Sequence, residues 1–492
     1  MATDAGFSLA MPRTASGDVG DAEITLTGLA RGRYFWRVYG DCGTAGRSPV
    51  SYTWSFWVSG ASTTGRPIGW TPDLDGDGLG DIVAGSPSVT DASGPGTVSV
   101  YLSNMSALLS TRRTAVITGT SPGFGASVAV VPDMTGDGLA ELAVGSCSRN
   151  NTIPCATEVN VYRVLPTPGV LAPATALIAH FTADHGLRFG ADLAGVGDLD
   201  GDGYGELLVA SPGEFGATPG SFQIVRGGVG IFPPGTAISA PSDGSPDPVR
   251  FAWSIAGVGD VTGDGLVDAL VTGLDRAWVY PGRSATSPAF TTPIPLSLAA
   301  SGDGDMGFVA SPGGDLNGDG TADFAIGRPG YGGGFGSVSI FHGGGITDRQ
   351  VPTQTIVGII ASGRFGAAVA GGGDVAGGGT VAADELLVGA PGAAAGGGFV
   401  YVVSRMVGGA YAEAPQSLPM VPAPSIGRAV AILGDFNGDG FDDFVASAGG
   451  TVMTTSASAI GLWRGNGTAA PTLGDNAIQT GTPNFGYTLG ER

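Results

Sequence analysis

Apolar and polar residues alternate with period two along several short stretches of this chain, as at Val98 and Val100, Val159 and Val161, Trp278 and Tyr280, and Val338 and Ile340. That period puts every second side chain on one face of a pleated strand and predicts half-buried β-structure. Other stretches are continuously apolar and end at proline, as in Leu-Leu-Val-Ala-Ser-Pro at 207–212 and Leu-Leu-Val-Gly-Ala-Pro at 386–391. They read as fully buried strands, stopped where Pro withdraws a ladder donor. The chain contains no apolar run long enough for a membrane-spanning helix.

An acidic loop of the general form Asp-x-Asp-Gly-Asp-Gly recurs between these stretches, starting at Asp73, Asp133, Asp198, Asp260, Asp315, Asp374 and Asp435. Successive starts lie 60, 65, 62, 55, 59 and 61 residues apart, a period that accommodates four short strands with their turns. Each unit has the same internal order. An alternating stretch carrying Phe-Gly or a variant comes first, followed by the acidic loop, a buried strand, a glycine-rich turn and a third, alternating strand. A weaker fourth strand is expected near 114–118 in the first unit. The expected fold is all-β, a seven-bladed β-propeller of four-stranded blades over residues 62–492.

The first unit has only Pro67-Ile68-Gly69-Trp70 ahead of its loop, whereas the chain ends in Asn484-Phe485-Gly486-Tyr487-Thr488-Leu489-Gly490. Residues 481–492 are therefore expected to supply the missing strand of blade 1. The alternative reading of this tail is an eighth repeat cut short.

The loops place oxygen donors at positions 1, 3, 5, 7 and 9, the seventh through a backbone carbonyl. Hard oxygen ligands at that spacing suit Ca²⁺, which accepts six to eight oxygens in flexible geometry. The ligands expected in loop one are Asp73, Asp75, Asp77, Leu79 and Asp81, and in loop three Asp198, Asp200, Asp202, Tyr204 and Glu206. In loop five they are Asp315, Asn317, Asp319, Thr321 and Asp323, and in loop seven Asp435, Asn437, Asp439, Phe441 and Asp443. Loop two (Asp133, Thr135, Asp137, Leu139, Glu141) and loop four (Asp260, Thr262, Asp264, Leu266, Asp268) carry Thr at position 3, which should weaken binding without abolishing it. Loop six reads Asp374-Val-Ala-Gly-Gly-Gly, with Asp384 displaced, and is expected to be empty. Up to six Ca²⁺ are thus expected.

Composition sharpens the picture. With 90 Gly, 33 Pro and 13% charged residues, the chain suits short strands and turns rather than long charged helices. Nearly half of its 43 acidic residues stand at the ligand positions, and six divalent ions would offset more than half of the net charge of −21. Such an acidic chain repels phosphate backbones, so no nucleic-acid partner is expected. All 22 basic residues are Arg, which excludes lysine Schiff-base chemistry and a P-loop lysine.

Cys147 and Cys155 flank a turn-forming stretch with two Asn and a Pro, which favours a disulfide and hence an oxidising compartment. Cys42 is then left unpaired, either as a small buried hydrophobe or as half of a bridge to sequence outside this chain. The opening Met-Ala-Thr-Asp-Ala-Gly-Phe-Ser has neither the basic nor the apolar region of a signal peptide. The three histidines, His180, His185 and His342, stand in no zinc or nucleophile motif. No enzymatic activity is therefore expected.

The Phe-Gly steps (Gly123-Phe124-Gly125, Arg188-Phe189-Gly190, Arg364-Phe365-Gly366), the Gly-Ala-Pro-like stops and the loops between them resemble the FG-GAP repeats of integrin α-chain propellers and their bacterial relatives. Phe251-Ala252-Trp253, Met306-Gly307-Phe308, Ile426-Gly427-Arg428 and Val271-Thr272-Gly273 depart from that pattern. The resemblance covers roughly 62–492. It implies an extracellular or cell-surface module for adhesion or ligand binding, with an unknown protein or carbohydrate partner held on the face opposite the calcium loops. Segments 88–95, 146–157, 211–219 and 330–335 would form that face, although the chain contains no Arg-Gly-Asp tripeptide. The alternatives are a structural spacer of a larger surface protein, which plain tips such as 393–397 favour, or a secreted hydrolase. Residues 1–60 lack the repeat. Tyr34, Trp36 and Val38 alternate there, and Trp54-Ser55-Phe56-Trp57-Val58 forms a second stretch, together resembling the last strands of a partial fibronectin type III-like sandwich.

Overall fold

The computed structural model describes residues 32–36, 54–58, 72–75, 79–88, 94–103, 115–148, 155–165, 174–182, 188–213, 220–230, 234–241, 250–274, 276–283, 292–298, 308–344, 350–376, 383–393, 397–405, 409–411, 416–417, 425–437, 441–448, 458–465, 472–480 and 488–489. Seven four-stranded antiparallel sheets follow one another along the chain and form the seven blades. The third blade shows the pattern, with strands Asp192–Val196, Glu206–Ser211, Ser221–Val225 and Ile238–Ser239 pairing in sequence order. Six blades are built from consecutive strands. The first is not, because Ile82–Ser86, Thr97–Tyr101 and Ala115–Thr118 are joined on their inner side by Thr488–Leu489. There Leu489 pairs with Ala84, and Thr488 with Gly85.

The core is divided among the seams between blades. Seven clusters of buried apolar side chains occur among the described residues, one for each neighbouring pair of sheets. Between the third and fourth blades, Phe222, Phe251, Trp278 and Tyr280 pack edge to face, with ring centroids 5.1 Å apart for Phe222 and Tyr280. Between the seventh and first, Leu489 joins Ile82, Ala84, Leu433 and Val445. Burying each such side chain contributes roughly 1.5–3 kcal/mol, so every blade is held chiefly by its neighbours.

The Phe-Gly step has a direct role in these seams. Phe124, Phe189, Phe251 and Phe365, together with Ile426, are buried within them. The following glycine adopts a left-handed conformation, with φ of 78° at Gly190, and its N–H donates to the Ala210 carbonyl at the end of the second strand. A Cβ on Gly190 would lie 2.7 Å from Val159, which explains why the smallest residue stands there. Ala252 holds the same turn at φ 60°.

The sheets of the propeller account for nearly all of the regular structure. Gly32–Trp36 and Trp54–Val58 form a separate two-stranded antiparallel ladder. The remainder of residues 1–60, including Cys42, lies outside the described residues.

Candidate metal centres

In six blades the acidic loop joins the innermost strand to the second strand, and in the first it leads directly into the second strand, so the topology gathers all seven at one end of the ring. The connections between second and third strands, including described residues 146–148, 155–157 and 330–335, lie at the opposite end. The last acidic residue is the first residue of the second strand in six blades, as Glu141, Glu206, Asp268, Asp323, Glu385 and Asp443, while Asp81 directly precedes that strand in the first. These side chains are buried. Each reaches back to the start of its own loop, as when the Leu199 N–H donates to Glu206 Oε2 at 2.8 Å and the Val261 N–H to Asp268 Oδ2 at 2.9 Å.

Loops one and three bring three carboxylates together. Asp73, Asp75 and Asp81 each place an oxygen within 4.8 Å of the others, as do Asp198, Asp200 and Glu206. In loop one, Asp81 accepts from the Leu74 N–H at 2.7 Å and the Ser103 N–H at 2.8 Å, and Leu79 is buried. Asp77 lies outside the described residues. In loop three, Asp198 accepts from the Asp202 and Gly203 N–H groups at 2.9 and 2.8 Å, which wraps the backbone inward. The Tyr204 N–H donates to Asp202 at 3.0 Å, and the Arg226 guanidinium approaches Asp200 at 3.4 Å while remaining half exposed.

Loops four and five have the same backbone wrap with fewer carboxylates. Asp260 accepts from Gly263, Asp264 and Gly265, the Leu266 N–H donates to Asp264, and the Thr262 hydroxyl donates to Asp268 at 3.4 Å. Asp315 accepts from Gly318, Asp319 and Gly320. The Asn317 amide donates to Asp319 at 2.8 Å, the Thr321 N–H also donates to Asp319, and the Gly343 N–H donates to Asp323. In loop seven, the Phe436 and Asn437 N–H groups converge on Asp443, beside buried Asp435 and half-buried Phe441. Asp439 lies outside the described residues.

Loop two has the same wrap with one addition. Asp133 accepts from Gly136 and Gly138, the Leu139 N–H donates to Asp137, and the Met134 N–H and Thr135 hydroxyl donate to Glu141. Arg163, from the third strand, reaches into this loop. Its Nε lies 3.0 Å from Asp137, and its Nη2 lies 2.5 Å from Thr135 Oγ1 and 3.8 Å from Glu141.

Electrostatics mark the final carboxylates as costly charges. Burial, followed by the pressure of neighbouring acids, pushes Glu206 up to about 9 and Glu141 to about 8. Burial likewise raises Asp323 to about 7 and Asp268 to about 6, and holds Asp81 well above the usual carboxylate range. An oxygen-rich, dry cluster of this kind fits a hard divalent cation, whose charge removes the mutual repulsion.

In loop six the seat of the final carboxylate belongs to Glu385, not Asp384. Glu385 accepts from the Val375 N–H at 3.0 Å, and burial pushes it up to about 8. Asp384 turns away and accepts from the Asp315 N–H of the preceding blade at 2.8 Å. The longer connection in this blade obscured the assignment in the sequence. Arg163 also escaped notice, although a charged residue continuing the inward-facing run of Val159 and Val161 was its signal.

Outside the loops, Cys147 and Cys155 form a disulfide. His180 shares a hydrogen bond with Asn160, and His342 with Tyr411. His185 lies outside the described residues.

A family model described as FG-GAP repeat matches residues 189–225 and 306–341, which contain loops three and five. Integrin alpha pat-2 of Caenorhabditis elegans is 30% identical over 216 residues, covering 41% of this chain and 17% of that protein. Integrin alpha-5 of Xenopus laevis is 32% identical over 180 residues, covering 32% of this chain and 16% of that protein. The matches span about a sixth of the length of these curated relatives. A solved structure of Chaetomium thermophilum Sqt1 aligns at a TM-score of 0.44 and 14% identity, covering 80% of this chain and 83% of that one.

Proposed function

We propose that this chain, an integrin α-like FG-GAP propeller, is a calcium-binding extracytoplasmic module for adhesion or ligand binding. The observation that carries the metal reading is the convergence of three carboxylates within 4.8 Å in loops one and three, each around a buried final acid. Bound Ca²⁺ supplies two positive charges to each such cluster. Asp73, Asp75 and Asp81 would hold one ion, and Asp198, Asp200 and Glu206 another. Loops five and seven offer full sets built on Asp323 and Asp443, loop four a weaker one with Thr262 at its third position, and loop six is read as empty because it lacks carboxylates at its third and fifth positions.

The ligand would bind at the end opposite these loops, where the connections between second and third strands gather on a framework held by seven buried seams. A protein or a carbohydrate is the expected partner. The disulfide in one of these connections supports an oxidising, extracytoplasmic setting.

Calorimetric titration of chelator-stripped protein tests the metal reading. Calcium should bind in preference to magnesium, and Asp200→Asn should remove one site; equal binding of the two ions, or none, counts against it. An array of extracellular-matrix proteins and glycans tests the ligand reading, with any hit expected to weaken on substitutions in 330–335 and not on substitutions in the acidic loops.

A further inference from the structure

One position of the third strand faces the final acid of the loop in every blade. The ladder pairs Glu141 with Arg163 directly. One step beyond the paired residues, the same register sets Arg226 opposite Glu206, Pro281 opposite Asp268, His342 opposite Asp323 and Arg464 opposite Asp443. In the first and sixth blades the facing residues are Leu102 and Ser404. Seven homologous loops are thus overlooked by residues of very different charge.

In the second blade this residue enters the loop. Arg163 touches Thr135, Asp137 and Glu141, the third, fifth and ninth donor positions, at 2.5, 3.0 and 3.8 Å. The Thr135 hydroxyl donates its proton to Glu141 at 2.8 Å while accepting from Arg163. Loop two possesses three acids, and like those of loops four and five they do not converge as the acids of loops one and three do; what sets loop two apart is the guanidinium among its donors. By contrast, Arg226 touches one acid at 3.4 Å, with its side chain 48% exposed. A guanidinium stays charged at any physiological pH, and its planar fork satisfies several oxygens at once.

We propose that Arg163 is the resident cation of loop two and determines that this loop takes no divalent ion. This rests on the reading of the other loops as calcium sites. A calcium ion entering loop two would have to displace the guanidinium from three donor positions and would sit beside its positive charge. Blade 2 therefore keeps its loop folded without metal, and the ion count of the chain is one lower than its acidic loops suggest.

The test is the number of calcium ions per chain, measured by elemental mass spectrometry on full-length protein equilibrated with saturating calcium and freed of excess. Asp137→Ala removes a partly exposed donor of loop two and should leave the count unchanged; loss of one ion overturns the proposal. Arg163→Met keeps the apolar stem, removes the charge and should raise the count by one; a folded variant with an unchanged count also overturns it. If Arg163→Met does not fold, Asp137→Ala still decides. Asp200→Asn in loop three is the control for the underlying reading. Should it leave the count untouched, the calcium assignment of loop three fails, while the gain or absence of an ion in Arg163→Met still judges Arg163.

Discussion

At the scale of single residues, the acid that opens the second strand matters most. Without metal, burial favours its protonated form in the folded chain, whereas the same group in the unfolded chain titrates near its ordinary value of about 4.3. The proton-bound state is then stabilising below that ordinary value, and its contribution is lost as pH rises toward about 9 for Glu206 and about 8 for Glu141. Calcium must displace these protons and should bind more tightly as pH rises. The gap between calcium-loaded and chelator-treated melting temperatures should therefore widen from about pH 5 to about pH 9. Glu206→Gln, which mimics the protonated form, should flatten the fall in stability of the metal-free protein over that range. Thermal melts across a pH series check both outcomes. A second residue-scale prediction concerns the seams, where Phe251 is fully buried against Phe222, Trp278 and Tyr280. Phe251→Ala should cost about 3–5 kcal/mol in denaturant unfolding.

Adjacent elements are stitched together through the loops themselves. The residue just before the buried acid of one blade donates its N–H to the first Asp carbonyl of the preceding loop, at 3.1 Å for Gly205 to Asp133, 2.9 Å for Asp384 to Asp315 and 3.1 Å for Asp442 to Asp374. The approach is close, and a Cβ on Gly205 would fall 1.8 Å from the Pro132 carbonyl oxygen. Gly205→Ala must therefore push two blades apart. It should destabilise the fold by about 1–3 kcal/mol and weaken calcium binding at loop three, readable by chemical denaturation and titration. The same scale governs ring closure. We propose that the pairing of Leu489 with Ala84 ties the last blade to the first, and Leu489→Ala should cost about 2–5 kcal/mol in the same assay.

For the whole molecule, stability is shared among seven similar seams and a ring of acidic loops holding nearly half of the acidic residues. Chelation should lower the melting temperature clearly, and restoring calcium should recover it, because binding to the folded state alone stabilises by mass action. High salt should narrow the gap only partly, since buried clusters are poorly screened. The repeat architecture was legible because its signals are local. Strand alternation, the Phe-Gly step and the acidic spacing each fit within one unit, and the seven blades and the Cys147–Cys155 bridge stand where those signals put them. The departure at Phe251-Ala252-Trp253 preserved the buried aromatic and the left-handed turn, so the blade survived the loss of the glycine.

Taken alone, the sequence determined the number of blades, the order of strands within them and the end of the ring at which acids gather. Each follows from short-range periodicity and from residue types that satisfy one turn. Tertiary structure alone decided which charge meets which loop. Arg163 lies far along the chain from Thr135 and reaches it only through the ladder register of the second and third strands. Glu385 takes the final seat in loop six because the strand register, not the distance along the chain, selects the residue that turns inward. Such contacts depend on how separate segments align across a sheet, and no pattern within a single segment encodes that alignment.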